Sequence, residues 1–216
     1  IRMERTDTEI LNGDKYGAIE WEGTDASGGN SNGVRAEILV ESDGTGTQGE
    51  TAMVFKTSHT ATTRNVERVR IDNLGNVGIN TDSPDKMLSL LKVSGYADLT
   101  LDVYSASTGH NPSLFFRKSS GTTKGTPAVT ANGEELGSIF FQGVNSSGSF
   151  DGGAEITGVQ NGSAGSSAVP VDIKFATHST SKHSNQLVIH HDGGIGIGIA
   201  SPTDSGLHIN GSGSRG

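Results

Sequence analysis

Apolar residues in this chain fall in short runs that alternate with polar ones, the period-two pattern of β-strands, and no stretch keeps a helical period for long. Gly17 to Gly23, Val34 to Val40 and Ala52 to Thr57 read as strands. They are joined by loops of small and polar residues from Thr24 to Gly33, Ser42 to Glu50 and Ser58 to Asn65. Ile1 to Arg5 alternates too and predicts a half-buried strand ahead of a turn at Leu11 to Asp14. Arg68 to Pro84 then reads as a strand, a tight turn ending in Gly75, a second strand in which small residues alternate with β-branched ones, and a Ser83-Pro84 stop. Gln186 to Pro202 has the same form. Ser83 as N-cap with Pro84 behind it would permit one helical turn. Ser89 to Val93 is too short for a helix and predicts a strand, as do the alternating runs Leu99 to Tyr104 and Pro112 to Lys118.

The pattern occurs twice. Asn132 to Gly143 overlays Asn12 to Gly23, Ala154-Glu155-Ile156 overlays Ala36-Glu37-Ile38, Phe175 overlays Phe55 and Ile189 overlays Ile71. The offset is roughly 118–120 residues, with the changes absorbed in Gly/Ser loops. Ser113 to Arg117 overlays Ile1 to Arg5, so the expected organisation is a front-truncated module over 1–93 and a second over 94–216. The second has a longer loop, Ser119 to Ala131, and a flexible tail at Gly211 to Ser214.

Glycine at alternate strand positions leaves one face without side chains, so another backbone can approach it, while Val77, Ile79, Ile195, Ile197 and Ile199 fill the opposite face. Composition bears on what covers them. Hydrophobic residues make up 31% and aromatics 5% of the 216 residues, well under the roughly 45–50% apolar content of ordinary globular domains. With a mean hydropathy of -0.35 the chain is poor in core, and the missing burial is expected from association of chains. Those five residues are therefore the candidate chain-to-chain core.

Zero cysteines exclude disulfides and thiolate metal sites. A net charge of -8 and a pI near 5.3 argue against nucleic acid or an anionic membrane as partner. No apolar run approaches the roughly 20 residues of a membrane helix. The start at Ile1, without an initiator methionine or signal-like segment, suggests a piece of a longer or processed polypeptide.

Leu-x-x-Arg, then Gly-Glu-x-Leu-Gly-x-Ile-x-Phe-x-Gly, an Ala-x-Ile strand, and Arg-x-Arg-Ile-Asp-x-x-Gly-Asn-Val-Gly-Ile-x-Thr-x-Ser-Pro together resemble the shaft modules of phage tail fibres and tailspikes. Such modules often precede a self-cleaving C-terminal chaperone domain. The resemblance implies an all-β, elongated, glycine-rich structure of β-helix or β-prism type with two tandem repeats, intertwined as a homotrimer. It also implies a place on the virion, outside the cell, with other tail proteins as partners, a host surface glycan as a further one, and attachment to the host as the task. The second copy departs from the pattern, with His190-His191-Asp192-Gly193-Gly194 in place of Asp72-Asn73-Leu74-Gly75-Asn76. A bacterial trimeric adhesin and a tailspike glycosidase are the alternative readings.

Motifs with chemical potential have structural counter-readings. Gly194-Ile195-Gly196-Ile197-Gly198 resembles a nucleotide loop, but no helix follows to receive a pyrophosphate, so no cofactor is expected. His178, His183, His190, His191 and His208 cluster late in the chain. If His190 and His191 lie on a strand they face opposite ways, so only one of them could join a threefold metal site. Asp72 and Asn73 stand at the matching positions, and solvated histidines without metal are the expectation. Glu134 with Glu135, Glu20 with Glu22, and Asp151 with Glu155 are possible catalytic carboxylate pairs, yet Phe140 and Gln142 replace Glu20 and Glu22 in the second copy, and no catalysis is expected. Trp21 overlays Phe141 and reads as core. Tyr96, Tyr104 and His110 sit near loop ends and are the candidates for glycan contact.

Overall fold

The computed structural model describes residues 3, 10–24, 32–44, 49–59, 65–179, 182–202 and 205–210, with the backbone alone at 184 and 185. The chain groups into two compact units, Ile1–Leu101 and Asp102–Gly216. The change of unit falls within residues 91–134, which form no strand. All the regular structure among the described residues is β.

The first unit is one six-stranded sheet in sequence order: β1 (Lys15–Gly23), β2 (Gly33–Ser42), β3 (Thr51–Thr57), β4 (Val66–Ile71), β5 (Val77–Ile79) and β6 (Leu88–Leu90). Neighbours are antiparallel as far as β5, and β6 joins it in parallel. The second unit repeats this plan with β7 (Glu135–Val144), β8 (Phe150–Gln160), β9 (Val171–His178), β10 (Lys182–Ile189), β11 (Ile195–Ile197) and β12 (Leu207–Ile209). There too only the last pair is parallel.

The β4–β5 turn is built by Asp72: its carbonyl accepts from Gly75 N–H (3.0 Å) and its N–H donates to Asn76 O (3.0 Å). Gly75 takes φ 82°, a left-handed position that glycine adopts without penalty. His190 and Gly193 (φ 93°) build the same turn between β10 and β11. Directly after the next strand both units again enter the left-handed region, at Asn80 (φ 61°) and Gly198 (φ 70°). That bend sends the chain into the short crossover to the parallel strand.

The expected alternate-glycine packing is present, but the neighbour is the strand's own continuation. A Cβ on Gly78 would lie 2.5 Å from Thr81 O, and one on Gly196 would lie 2.6 Å from Ile199 O. The crossover folds back over the bare glycine and leaves no room for a sister chain on that face.

Several sequence-based expectations change. Leu99 to Tyr104 and Pro112 to Lys118 form no strand. Their alternation is real, but a strand exists only where a neighbour satisfies its N–H and C=O groups, and among the described residues neither run has a ladder partner. The strand expected over Ser89 to Val93 is shorter and starts earlier, at Leu88. Phe150 to Gly153 belong to β8, where a bulge opposite Phe141 to Gly143 accommodates Gly152 and Gly153 at positive φ. Strand β12, Leu207–Ile209, was not anticipated. Met3 occupies the space over Gly17 as Phe116 does over Gly137, so the front overlay is one residue away from the expected pairing with Phe115. The strand expected over Ile1 to Arg5 and the tail at Gly211 to Ser214 otherwise lie outside the described residues.

Candidate functional site

Register sorts every side chain onto one of two faces. On the open face of the first unit Ile19, Ile38, Phe55, Val69, Ile79 and Leu90 stand opposite one another across all six strands. Beside them runs a second row, Val40, Met53, Ile71, Val77 and Leu88. The second unit reproduces the first row with Ile139, Ile156, Phe175, Leu187, Ile197 and Ile209, and its second row ends in Ile173, Ile189, Ile195 and Leu207. Such cross-strand apolar pairs are the unit of sheet stabilisation. None of these residues is fully buried in the single chain, and Ile79, Ile195 and Ile197 remain about 40% exposed.

The other face is buried and largely polar. Leu39, Ala52 and Val54 form a small apolar cluster with Ala18 packed against it, flanked by buried Glu37, Glu41, Ser42 and Arg70. Arg70 donates to Glu67 (2.9 Å), Asp43 (2.9 Å) and Glu41 (2.5 Å). A bulge opposite Lys56 rotates Glu67 onto the face of Arg70, three residues away, where strict alternation would separate them. Burial opposes the Arg70 charge, but Glu67 and Glu41 overcome it and push its pKa further up. Burial likewise opposes ionisation of Glu37, yet Lys15 and the Asn65 amide (2.7 Å) hold its carboxyl below the usual range.

In the second unit the matching strand positions differ. Val188 stands where Arg70 stands, and Asp172 where Ala52 does. Asp172 is 1% exposed. Burial favours its neutral form, but Asn161, the His191 N–H and the imidazoles hold its carboxyl low.

The sequence-predicted residues separate into two groups. Val77, Ile79, Ile195 and Ile197 lie on the open face as described, while Ile199 sits after β11 in the crossover that covers Gly196. Trp21 and Phe141 hold equivalent places opposite Ala36 and Ala154, but both are more than half exposed. Among the described residues neither is core within one chain. Tyr96 and Tyr104 are almost fully exposed, and His110 is held by Ser105 Oγ (2.7 Å). His190 and His191 follow β10 in a turn rather than lying on the strand, so strand alternation does not separate them. Their rings are 4.2 Å apart and both face Asp172. The solvated-histidine reading therefore fails for His190, whose side chain is 10% exposed.

Among the carboxylate pairs, Glu134 is held by Ser120 (2.7 Å) and Lys118 (3.1 Å), which keep its carboxyl low. Glu20 faces Lys15 (3.7 Å), and Glu155 pairs with Lys182.

No protein family matches the sequence, and no curated protein matches it. Solved structures do. The carboxy-terminal domain of the bacteriophage T5 L-shaped tail fibre aligns with a TM-score of 0.69 over 94% of this chain and 86% of that one, at 12% identity. The fold is similar to that of a phage tail-fibre domain. The same T5 domain with its intramolecular chaperone domain aligns with a TM-score of 0.70 and 13% identity, and this chain spans 59% of its length. At these identities the likeness establishes the all-β fold and leaves residue roles to the chain's own chemistry.

Proposed function

We propose that this chain is a structural segment of a phage tail fibre, assembled as a homotrimer on the virion, with attachment to the host surface as the task of the whole fibre. The observation that carries the reading is the apolar row crossing every strand of each sheet, with a shorter second row beside it, on a face that the described residues leave largely open apart from Met3 over Gly17 and Phe116 over Gly137. Contiguous apolar surface of this extent marks an interaction face, and its recurrence in both units makes a repeated self-contact its simplest occupant. The alternating runs Leu99 to Tyr104 and Pro112 to Lys118 fit the same scheme: sister chains would supply the ladder partners that one chain lacks. The likeness to T5 tail-fibre domains supports it through the fold. A scaffold role rather than catalysis agrees with the commitment of Glu20, Glu134 and Glu155 to ion pairs and hydroxyls. Tyr96, Tyr104 and His110 remain the residues offered to a glycan.

Sedimentation of the assembled protein is expected to give three chains per particle at all practical concentrations, and Ile197→Asp, which places a charge in each apolar contact, is expected to abolish the trimer. A folded monomer in the native protein, or an Ile197→Asp trimer of unchanged melting temperature, would overturn the reading.

A further inference from the structure

The buried Asp172 faces a problem that the first unit solves with arginine. A buried carboxylate needs positive charge close by, and its hydrogen-bond partners are the Asn161 amide (2.8 Å), the His191 N–H (3.0 Å) and the His191 ring Nδ1 (3.1 Å). His190 Nε2 lies 3.9 Å from the same carboxylate oxygen. We propose that Asp172, His190 and His191 form a binding site for a divalent transition-metal ion of zinc type, with one carboxylate oxygen, His190 Nε2 and His191 Nδ1 as ligands.

Three observations carry the assignment. The three ligand atoms all lie within 4.8 Å of one another. The edge of a tetrahedron with bonds of about 2.0–2.1 Å is about 3.3 Å, so closing the site takes a small inward movement of the side chains, with the ion replacing the proton that His191 Nδ1 gives to Asp172 and the Asn161 bond to His190 Nε2. Second, His190 Nδ1 contacts the Asp192 carboxylate. With its proton donated there, Nε2 carries the lone pair and already accepts from Asn161 Nδ2 (2.9 Å). A carboxylate that fixes the tautomer of a ligating histidine is the usual outer support of a zinc site. Third, the carboxylate itself is pre-positioned, because Asn161 and the His191 backbone hold its two oxygens from separate elements. Two imidazoles and one carboxylate leave a fourth position for water and suit zinc over the harder calcium or magnesium.

The test is titration of zinc chloride into the assembled full chain by calorimetry, with the melting temperature followed in zinc and again after EDTA. One ion per chain is expected, with a rise in melting temperature that EDTA reverses. His191→Asn, which installs the residue of the first unit, and Asp172→Asn are each expected to abolish binding. Asp192→Asn, at a side chain 62% exposed and so harmless to folding, should weaken it about 10–100-fold. His178→Asn with His183→Asn should leave it unchanged. Absence of binding by the native trimer overturns the proposal, as does stoichiometric binding that persists in folded Asp192→Asn and His191→Asn proteins at native affinity.

Discussion

The two sheets share their outside and differ in their inside. Ile19, Ile38, Phe55, Val69, Ile79 and Leu90 have apolar counterparts at every position in the second unit, so one face is held constant while the other is rewired. In the first unit Asp43 takes a bond from Arg70 and also accepts the Asn73 N–H (2.9 Å). In the second, the matching N–H of His191 goes to Asp172 on a different strand, with Asn161 standing where Asp43 stands. The turn needs an acceptor for that N–H, and either neighbouring strand can supply it. What a fold requires is the satisfied group rather than a given side chain, and here the buried face changes its side chains while the open face keeps its apolar pattern.

The largest effect is expected at the position where the two interiors differ most. Arg70→Ala leaves Glu41, Asp43 and Glu67 facing one another at a side chain only 8% exposed, a loss of about 3–5 kcal/mol. Val188→Ala removes two methyl equivalents from the matching place, about 2 kcal/mol with its small cavity. Trp21, the sole tryptophan, lies in the first unit, so its fluorescence in urea follows that sheet for Arg70→Ala, and circular dichroism, which reads both sheets, follows Val188→Ala. Equal midpoint shifts from the two substitutions would show that Arg70 acts as packing rather than as a charged clamp.

Alternation placed β1 to β4, and the repeat placed their counterparts, because half-buried strands write their period directly into sequence. The open-face residues Val77, Ile79, Ile195 and Ile197 were legible for the same reason. The Arg70 network was not: it brings together residues from β4, β2 and the turn after β2 through a bulge, and a one-residue bulge leaves no compositional mark. The Asp172 cluster was half legible, since His190 and His191 stood out as departures from the first copy. Treating both as strand residues concealed that they share a turn, and nothing local to Asp172 connects it to a turn so far along the chain.

A smaller effect, common to both units, probes the closeness of the crossover. Gly78→Ala and Gly196→Ala each drive a methyl against a backbone carbonyl, at 2.5 and 2.6 Å, that cannot rotate away. Each is expected to cost about 1–3 kcal/mol, read as a fall in melting temperature of the assembled protein. If instead these substitutions leave the melting temperature alone, the crossover does not pack on the glycine as described, and that face would be free for another chain.

The smallest difference lies in the turns. Asp72 Oδ1 accepts the N–H groups of Leu74 (2.9 Å) and Asn76 (2.7 Å), a local bracket that the His190 ring does not reproduce. Burial slightly favours the neutral acid, but the N–H groups of Asn76, Leu74 and Gly75 outweigh it and depress the carboxyl below its ordinary value of 3.8. A depressed folded-state pKa stabilises the native form fully above the unfolded value and loses that contribution as pH falls through the folded one. Asp72→Ala should therefore cost about 1 kcal/mol at neutral pH, and the cost should shrink in acid, where the native carboxyl is protonated and its bracket weakened. Urea midpoints of the native and Asp72→Ala proteins, taken at neutral pH and again well below 3.8, give the comparison. A gap between them that stays constant across that range would assign the turn's stability to the left-handed Gly75 alone and would make the two units equivalent at this corner.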